Sequence, residues 1–489
     1  MTPVGSILRA TVLTVCAGTL IGIATTTTGS VELGGTRASA GLPAVSDAAL
    51  TDASLVCPGP ERVGAKGLRD VEGDTRVTAA AAPGSVLGDL ATAGAGTIEI
   101  GAVGGGKALQ KASDRAAPVT AGISDPVGVT ARGRDALAPG VVATQTWLHR
   151  GDDDRGLATA ACAMPASDLW LVGGGDGPSR TERLVLTNPG ANTISVDFTV
   201  LGVKGTIEGT GHGISIPPRS RSVLSLDTIA PDVASPVVHV VASGGQVAGV
   251  LSDAWIEGAT GRGIDDAAPA AQPGRDLVLA GIDKAGTASV RIANPGQDEA
   301  LVQVRVLTEK GPVQPDALRA VRVPAGSSLD VPLEVPDGAL GAHLLADQPV
   351  VAGAWAERRV ADGADRMGDF GWTAATPRVQ RLAGLALPGA VVPRSTTRLL
   401  LAAGAQDAAV TVTTTGPGSQ TRQVTVPADH SVVLDLGAAK AVWVQPRSGA
   451  AHAAVSVSGV LDNVPVLSIV PLAEAPVTAV TVPVRQVGN

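Results

Sequence analysis

Apolar and polar residues alternate in short runs along most of this chain, and the runs return in the same order. Val196-Asp197-Phe198-Thr199-Val200, Val302-Gln303-Val304-Arg305-Val306 and Val410-Thr411-Val412-Thr413 each have a period of two, the pattern of a strand with one face buried. A proline-led strand follows in each case: Ile216-Pro217-Pro218 through Leu226, Val323-Pro324-Ala325 through Leu333, and Val426-Pro427-Ala428 through Leu436. Two apolar runs come next, Val237 to Ala242 and Val247 to Trp255. Their counterparts are Ala342 to Ala346 with Val350 to Trp355, and Ala441 to Gln445 with Ala453 to Leu461. Val141 to Trp147 stands earlier in the chain where Val247 to Trp255 stands later.

The turn that opens each series carries the clearest self-similarity. Arg183-Leu184-Val185-Leu186-Thr187-Asn188-Pro189-Gly190 returns as Ser289-Val290-Arg291-Ile292-Ala293-Asn294-Pro295-Gly296, a step of 106 between prolines. A degenerate form ends in Ala402-Ala403-Gly404, and Ser54-Leu55-Val56-Cys57-Pro58-Gly59 precedes them all. Short strands ending in glycine lead the units, Asp168 to Gly173 and Asp276 to Gly281. About seven strands in about 105 residues is the size of an immunoglobulin-like sandwich, whereas propeller blades repeat every ~40–50 residues.

The expected fold is therefore all-β: tandem immunoglobulin-like β-sandwich repeats after an N-terminal hydrophobic helix. It comprises a signal peptide or signal-anchor over 1–30 and a linker over 31–45. An irregular first sandwich covers 46–162, with further sandwiches over 163–275, 276–380 and 381–473 and a tail over 474–489. Residues 258–273 and 361–380 read as loose boundary segments, and 101–115 as a long loop. The length of 489 residues agrees, because single cores stop growing near ~250–300 residues. So do 62 Gly, 34 Pro and an aromatic content of 2% without tyrosine, which favour many short strands filled by small side chains.

The N-terminus reads as an export address. Arg9 is the only charge before an apolar run from Ala10 to Ala24, as in a secretory signal. Ala38-Ser39-Ala40 is cleavage-like but distant, so a cleaved signal and a retained anchor both stand. Leu13-Thr14-Val15-Cys16 has a bulky valine where a lipobox takes a small residue. With Cys16 in the leader, Cys57 and Cys162 form an even pair in an exported chain and read as a disulfide; two unrelated buried thiols are the alternative.

Candidate chemistry is sparse. A net charge of −8 without a basic stripe excludes a nucleic-acid binder. Gly101-Ala102-Val103-Gly104-Gly105-Gly106-Lys107-Ala108 approaches a phosphate loop, but Ala108 lacks the hydroxyl that holds magnesium. Asp152-Asp153-Asp154 lacks the alternation of a calcium loop, and Arg150-Gly151-Asp152 is too short to argue adhesion. His149, His212, His239, His343, His430 and His452 show no metal-ligand spacing. Asp429-His430-Ser431 holds triad residue types, but strand neighbours point to opposite faces. Trp147, Trp255 and Trp355 recur near strand ends, and Trp170, Trp372 and Trp443 lie elsewhere. All six read as core plugs, and a sugar platform would need several of them exposed. No catalytic residue, cofactor or metal site is expected.

The contexts Leu55-Val56-Cys57-Pro58 and Cys162-Ala163-Met164-Pro165, leading to Trp170-Leu171-Val172-Gly173-Gly174 and Leu184-Val185-Leu186-Thr187-Asn188-Pro189-Gly190, resemble the actinobacterial family known as domain of unknown function 5719. The resemblance implies an exported, often membrane-anchored protein, commonly encoded beside a large membrane glycosyltransferase. The expectation is a non-enzymatic extracytoplasmic scaffold of the cell envelope, held to the membrane by its N-terminal segment and accessory to such a transferase. The alternatives are a cell-wall polysaccharide-binding module and a hydrolase of unrecognised type.

Overall fold

The alternating runs form strands, and the strands pair into sheets whose order can be followed through the chain. The structure is a computed structural model and describes residues 46–60, 73–115, 117–151, 155–177, 179–207, 211–360 and 366–481. The expected signal or anchor, the linker and Cys16 lie outside the described residues, as do Asp152-Asp153-Asp154. Among the described residues no helix is long and apolar enough to cross a membrane.

The described chain is nearly all β, built of small antiparallel sheets. In the first stretch the strands are Asp52–Cys57, Gly73–Ala80, Gly96–Ala102, Gln110–Ala112, Val119–Ile123, Val129–Asp135, Val142–His149 and Gly156–Ala161. One sheet takes them in the order first, sixth, third, fourth; the other takes fifth, second, seventh, eighth. The same two orders occur three more times, over Asp168–Val172 to Thr260–Ala267, Gly274–Lys284 to Gly368–Ala374, and Ala383–Ala386 to Val464–Pro471. In the third pair the sixth and seventh strands are one 22-residue strand, Gly338–Arg359, which runs through both sheets.

Each pair has an apolar interior, and each interior reaches into the next. The core of the second pair includes Ala293, Val351, Phe370 and Trp372 of the third. That of the third includes Ala402, Ala454, Leu467 and Ile469 of the fourth. That of the fourth includes Leu148 and Leu157 of the first. The first meets the second through Val56 and Val103 against Ala248, and Trp147 and Ala158 against Ile264. Residues 47–479 accordingly form one compact unit.

The eighth strands of the four pairs meet one another in a closed circuit, and we call them the inner strands. Each is the edge of its sheet, so one row of its backbone donors lacks a ladder partner and must find another acceptor once buried. Asp369 supplies it. Its Oδ2 accepts from Leu157 N at 2.9 Å and Leu467 N at 3.0 Å, and its Oδ1 from Ile264 N and Phe370 N, both at 3.0 Å. One carboxylate thus binds all four inner strands. A second junction lies alongside: Trp372 N donates to Asp265 Oδ2, Ser468 Oγ donates to Asp265 Oδ1 at 2.8 Å, and Thr159 N donates to Ser468 Oγ at 2.9 Å. Close approach requires glycine here: Gly263 has φ +116°, and a Cβ on it would collide with the Asp369 carboxylate.

Three expectations are corrected. Residues 258–273 and 366–380 are not loose throughout, since they contain the inner strands Thr260–Ala267 and Gly368–Ala374. Residues 101–115 are not one long loop: strands Gly96–Ala102 and Gln110–Ala112 pair across a glycine turn. The tail does not begin at Glu474, whose carboxylate accepts from Arg381 N and Leu382 N, with Ala475 and Val477 buried beyond it.

Asp369→Asn puts an amide N–H₂ against two backbone donors and strands them. At about 1–3 kcal/mol per orphaned buried donor, it should cost about 2–6 kcal/mol. Urea unfolding followed by circular dichroism measures this, and a loss under 1 kcal/mol would contradict the bridging role.

Candidate functional site

The residues singled out in sequence fall into separate places. Cys57 and Cys162 are joined in a disulfide, which ties the first strand of the first pair to the segment leaving its eighth. Gly104, Gly105, Gly106 and Lys107 are the exposed turn between two strands. His430 Nδ1 faces the Ala428 carbonyl and Ser431 Oγ donates to Ala339 O, while Asp429 faces His343. The three do not form a relay.

The two Asn-Pro-Gly turns are backbone clamps of one design. Asn188 Nδ2 donates to the carbonyls of Asn192, Ile216 and Pro217 while its Oδ1 accepts from Gly190 N. Asn294 Nδ2 donates to Asp298 and Val323, and its Oδ1 accepts from Gly296 N.

The histidines reveal a pattern that the sequence reading missed. On the sixth strand of the second pair His239 lies opposite Trp170, and its Nε2 is 3.0 Å from Asp168, two residues earlier on the first strand. In the third pair His343 lies opposite Val278 and its Nε2 is 2.9 Å from Asp276. In the first pair Arg132 lies opposite Ser54 and its Nε donates to Asp52 at 2.9 Å. The same diagonal joins an aspartate to a nitrogen-bearing side chain in three pairs. Its sequence signal was the aspartate that opens the strands at Asp168 and Asp276. His452 is buried elsewhere, with Nδ1 donating to Thr376 O. Burial lowers its pKa to about 4, against the pull of that hydrogen bond.

The richest cluster of charge and aromatic surface lies where the second and third pairs meet. Arg180 forks onto the fully buried Asp253, Nε to Oδ1 at 2.8 Å and Nη2 to Oδ2 at 2.6 Å. Trp372 Nε1 and Gly174 N donate to the same carboxylate at 2.8 and 3.3 Å. The Arg180 guanidinium lies 5.0 Å from the Trp255 ring centre and 5.7 Å from that of Phe370, and Arg262 lies 5.5 Å from Trp255. Arg291 covers Trp372 at 4.8 Å and forks onto Asp330. Such stacked, desolvated guanidinium groups are strong fasteners.

Glu182 sits beside this network, its carboxylate accepting from Gly175 N. Burial, reinforced by the charge of Asp253, raises its pKa to about 7. Burial also pushes Asp265 and Asp369 well above the usual carboxylate range, with their backbone and serine donors pulling the other way.

Trp147, Trp170, Trp372 and Trp443 are buried, while Trp255 and Trp355 are half-buried. Guanidinium groups already lie over the Trp255 ring, so the exposed platform that sugar stacking requires is not met by these six side chains. A pocket lined by Gln145, Arg221, Ser252 and Asp266 and one lined by Asp74, Arg76, Thr146 and Arg150 hold about 10 and 30 Å³, room for a water molecule. What the cluster does chemically is to fix one sheet pair against the next.

Residues 108–437 match the model of a family of unknown function, DUF5719. The chain belongs to that family. No curated protein matches it. The DUF5719 match takes in Asp253, Asp265, Asp369 and both Asn-Pro-Gly turns, and leaves Cys57 and Ser468 outside.

Because the folded-state pKa of Glu182 is raised, folding retains its proton. Its stabilising contribution is full below pH ~4.5 and is lost as the pH rises through about 7. Glu182→Gln should flatten the stability profile between pH 5 and 8 and be more stable than the parent at pH 8 by about 1–3 kcal/mol. Thermal melts across that range test this, and an unchanged slope would contradict it.

Proposed function

We propose that this DUF5719 protein is an exported, non-enzymatic scaffold of the actinobacterial cell envelope, its four sheet pairs being tandem immunoglobulin-like sandwiches behind an N-terminal membrane segment. The observation that carries the reading is the closure of four pairs around Asp369. It makes a rigid frame with its ion pairs spent on holding the frame together. A frame of this kind presents loops and edge strands at fixed spacing, which is how β-domains engage other proteins. The Cys57–Cys162 disulfide fits an oxidising compartment. The partner that the family resemblance implies is a membrane glycosyltransferase.

Two measurements on the full chain in its host test this. A β-lactamase fused to the C-terminus should protect cells, and Cys57 and Cys162 should resist alkylation until reduced. Cross-linking in intact cells should then recover a membrane glycosyltransferase. Cysteines alkylated without reduction would remove the export reading. Release of reducing ends from envelope glycan by the purified chain would remove the scaffold reading in favour of a hydrolase.

A further inference from the structure

Three turns of one design dock onto a neighbouring sheet pair. They are Pro217-Pro218-Arg219-Ser220, Pro324-Ala325-Gly326-Ser327 and Pro427-Ala428-Asp429-His430, each leading into the fifth strand of its pair. Their third residues take a left-handed conformation, with φ +52°, +65° and +55°. The same backbone bond holds each: Arg219 N to Gly190 O, Gly326 N to Gly296 O, and Asp429 N to Gly404 O, at 3.0, 3.1 and 2.8 Å.

Each turn lies on the preceding pair, at its third and fourth strands or the hairpin between them. The Arg219 carbonyl faces Gly104, 3.8 Å from where a Cβ on that residue would stand. Thr206 Oγ1 donates to Gly326 O at 3.0 Å. Arg305 Nη1 donates to Asp429 Oδ2 at 2.8 Å, a parallel bridge joins Thr308 to His430, and Gly311 is buried under the His430 ring.

The fourth pair has the same hairpin, Ala408–Thr415 with Thr421–Val426, but a different neighbour. In the first pair Arg115, on the corresponding link, donates to the carbonyls of Ala82 and Ala136 in its own pair. The seam between fourth and first pairs is closed by another device, the short helix Gly84–Leu87, with Val86 and Leu87 against Trp443 and Gln445 Nε2 donating to Val86 O at 2.7 Å. Residues 417–423 are exposed without interruption. The fourth strand here is also one six-residue run, where the second pair has the pieces Gly205–Ile207 and Ile214–Ile216 and the third has Gly311–Val313 and Val321–Val323. A long regular edge is the kind that accepts another chain.

We propose that the hairpin at 415–426 is an open docking position for the proline-led turn of a β-domain in a partner protein, with glycine or aspartate at the left-handed place. A second copy of this chain is not the occupant, because its three turns are already docked within itself. The inference deepens the scaffold reading by naming the surface and the chemistry of the partner.

The probe is a peptide of residues 321–332, titrated into the full chain. It should slow hydrogen exchange in 415–426 and bind at least tenfold more tightly than the same peptide carrying Pro324→Ala and Gly326→Val. Thr421→Lys and Gln423→Trp in the full chain should each weaken binding at least tenfold with an unchanged thermal midpoint. Absence of protection in 415–426 at saturating peptide, or protection only around 205–207 where the native turn sits, would overturn the proposal. The measurement is made on purified chain, so a failed export test leaves its outcome readable.

Discussion

One carboxylate group holds four strand edges. An aspartate accepts on both oxygens and donates nothing when ionised, so Asp369 can take Leu157 N, Ile264 N, Phe370 N and Leu467 N at once. No amide side chain could, because half of its face donates. The strands concerned are sheet edges, which elsewhere would recruit a fifth partner or sit in water. Here they are turned inward and satisfied by a side chain. The cost is a buried acid, which burial alone drives toward protonation. The four N–H donors aimed at it pull the other way and offset part of that burial.

That constraint helps explain why residues 47–479 form one compact unit rather than four separate sheet pairs on a string. Each pair has strands enough for its own two layers, yet the eighth strands of the first, second and fourth pairs each donate a backbone N–H to Asp369 of the third. The interiors follow suit. Phe370 and Trp372 belong by sequence to the third pair and by packing to the core of the second, and Leu157 of the first fills the core of the fourth. Asp253, Arg180 and Arg291 then fix the register between second and third pairs through bonds with direction, which apolar contact alone lacks.

The outer strands were legible because they obey a simple rule. Val196, Phe198 and Val200 are buried while Asp197 and Thr199 are not, so the period of two is written in the residues. The inner strands break that rule. Thr260–Ala267 runs Thr-Gly-Arg-Gly-Ile-Asp-Asp-Ala with nearly every residue buried, and polar, glycine-rich sequence reads as a connector when its partners are unknown. The acids that look like surface charge are acceptors for strands some hundred or more positions away. The diagonal pairs were half legible: Asp168 and Asp276 stood out, but their partners are an arginine in one pair and histidines in two others. The recurrence of Trp147 and Trp255 was visible, whereas its cause, contact with Ile264 and Phe370 on the inner strand of the following pair, needed the third dimension.

In the fourth pair an apolar contact stands where the other pairs carry an aspartate diagonal, and it faces the first pair. Where the other three pairs set an aspartate diagonally against a nitrogen, the fourth sets Leu382 against Trp443, which lies opposite Gly384. The helix of the first pair lays Val86 and Leu87 onto them. The first and fourth pairs, far apart in sequence, pack together here. Hydrogen-bonded ion pairs tolerate little misfit, since their strength falls steeply with angle and distance. Apolar contact is non-directional and scales with area. A joint of leucine, valine and tryptophan can therefore close over a range of positions that a directional bond between pairs, such as Arg305 to Asp429, could not. It also leaves the outer hairpin at 415–426 without the turn that covers its three counterparts.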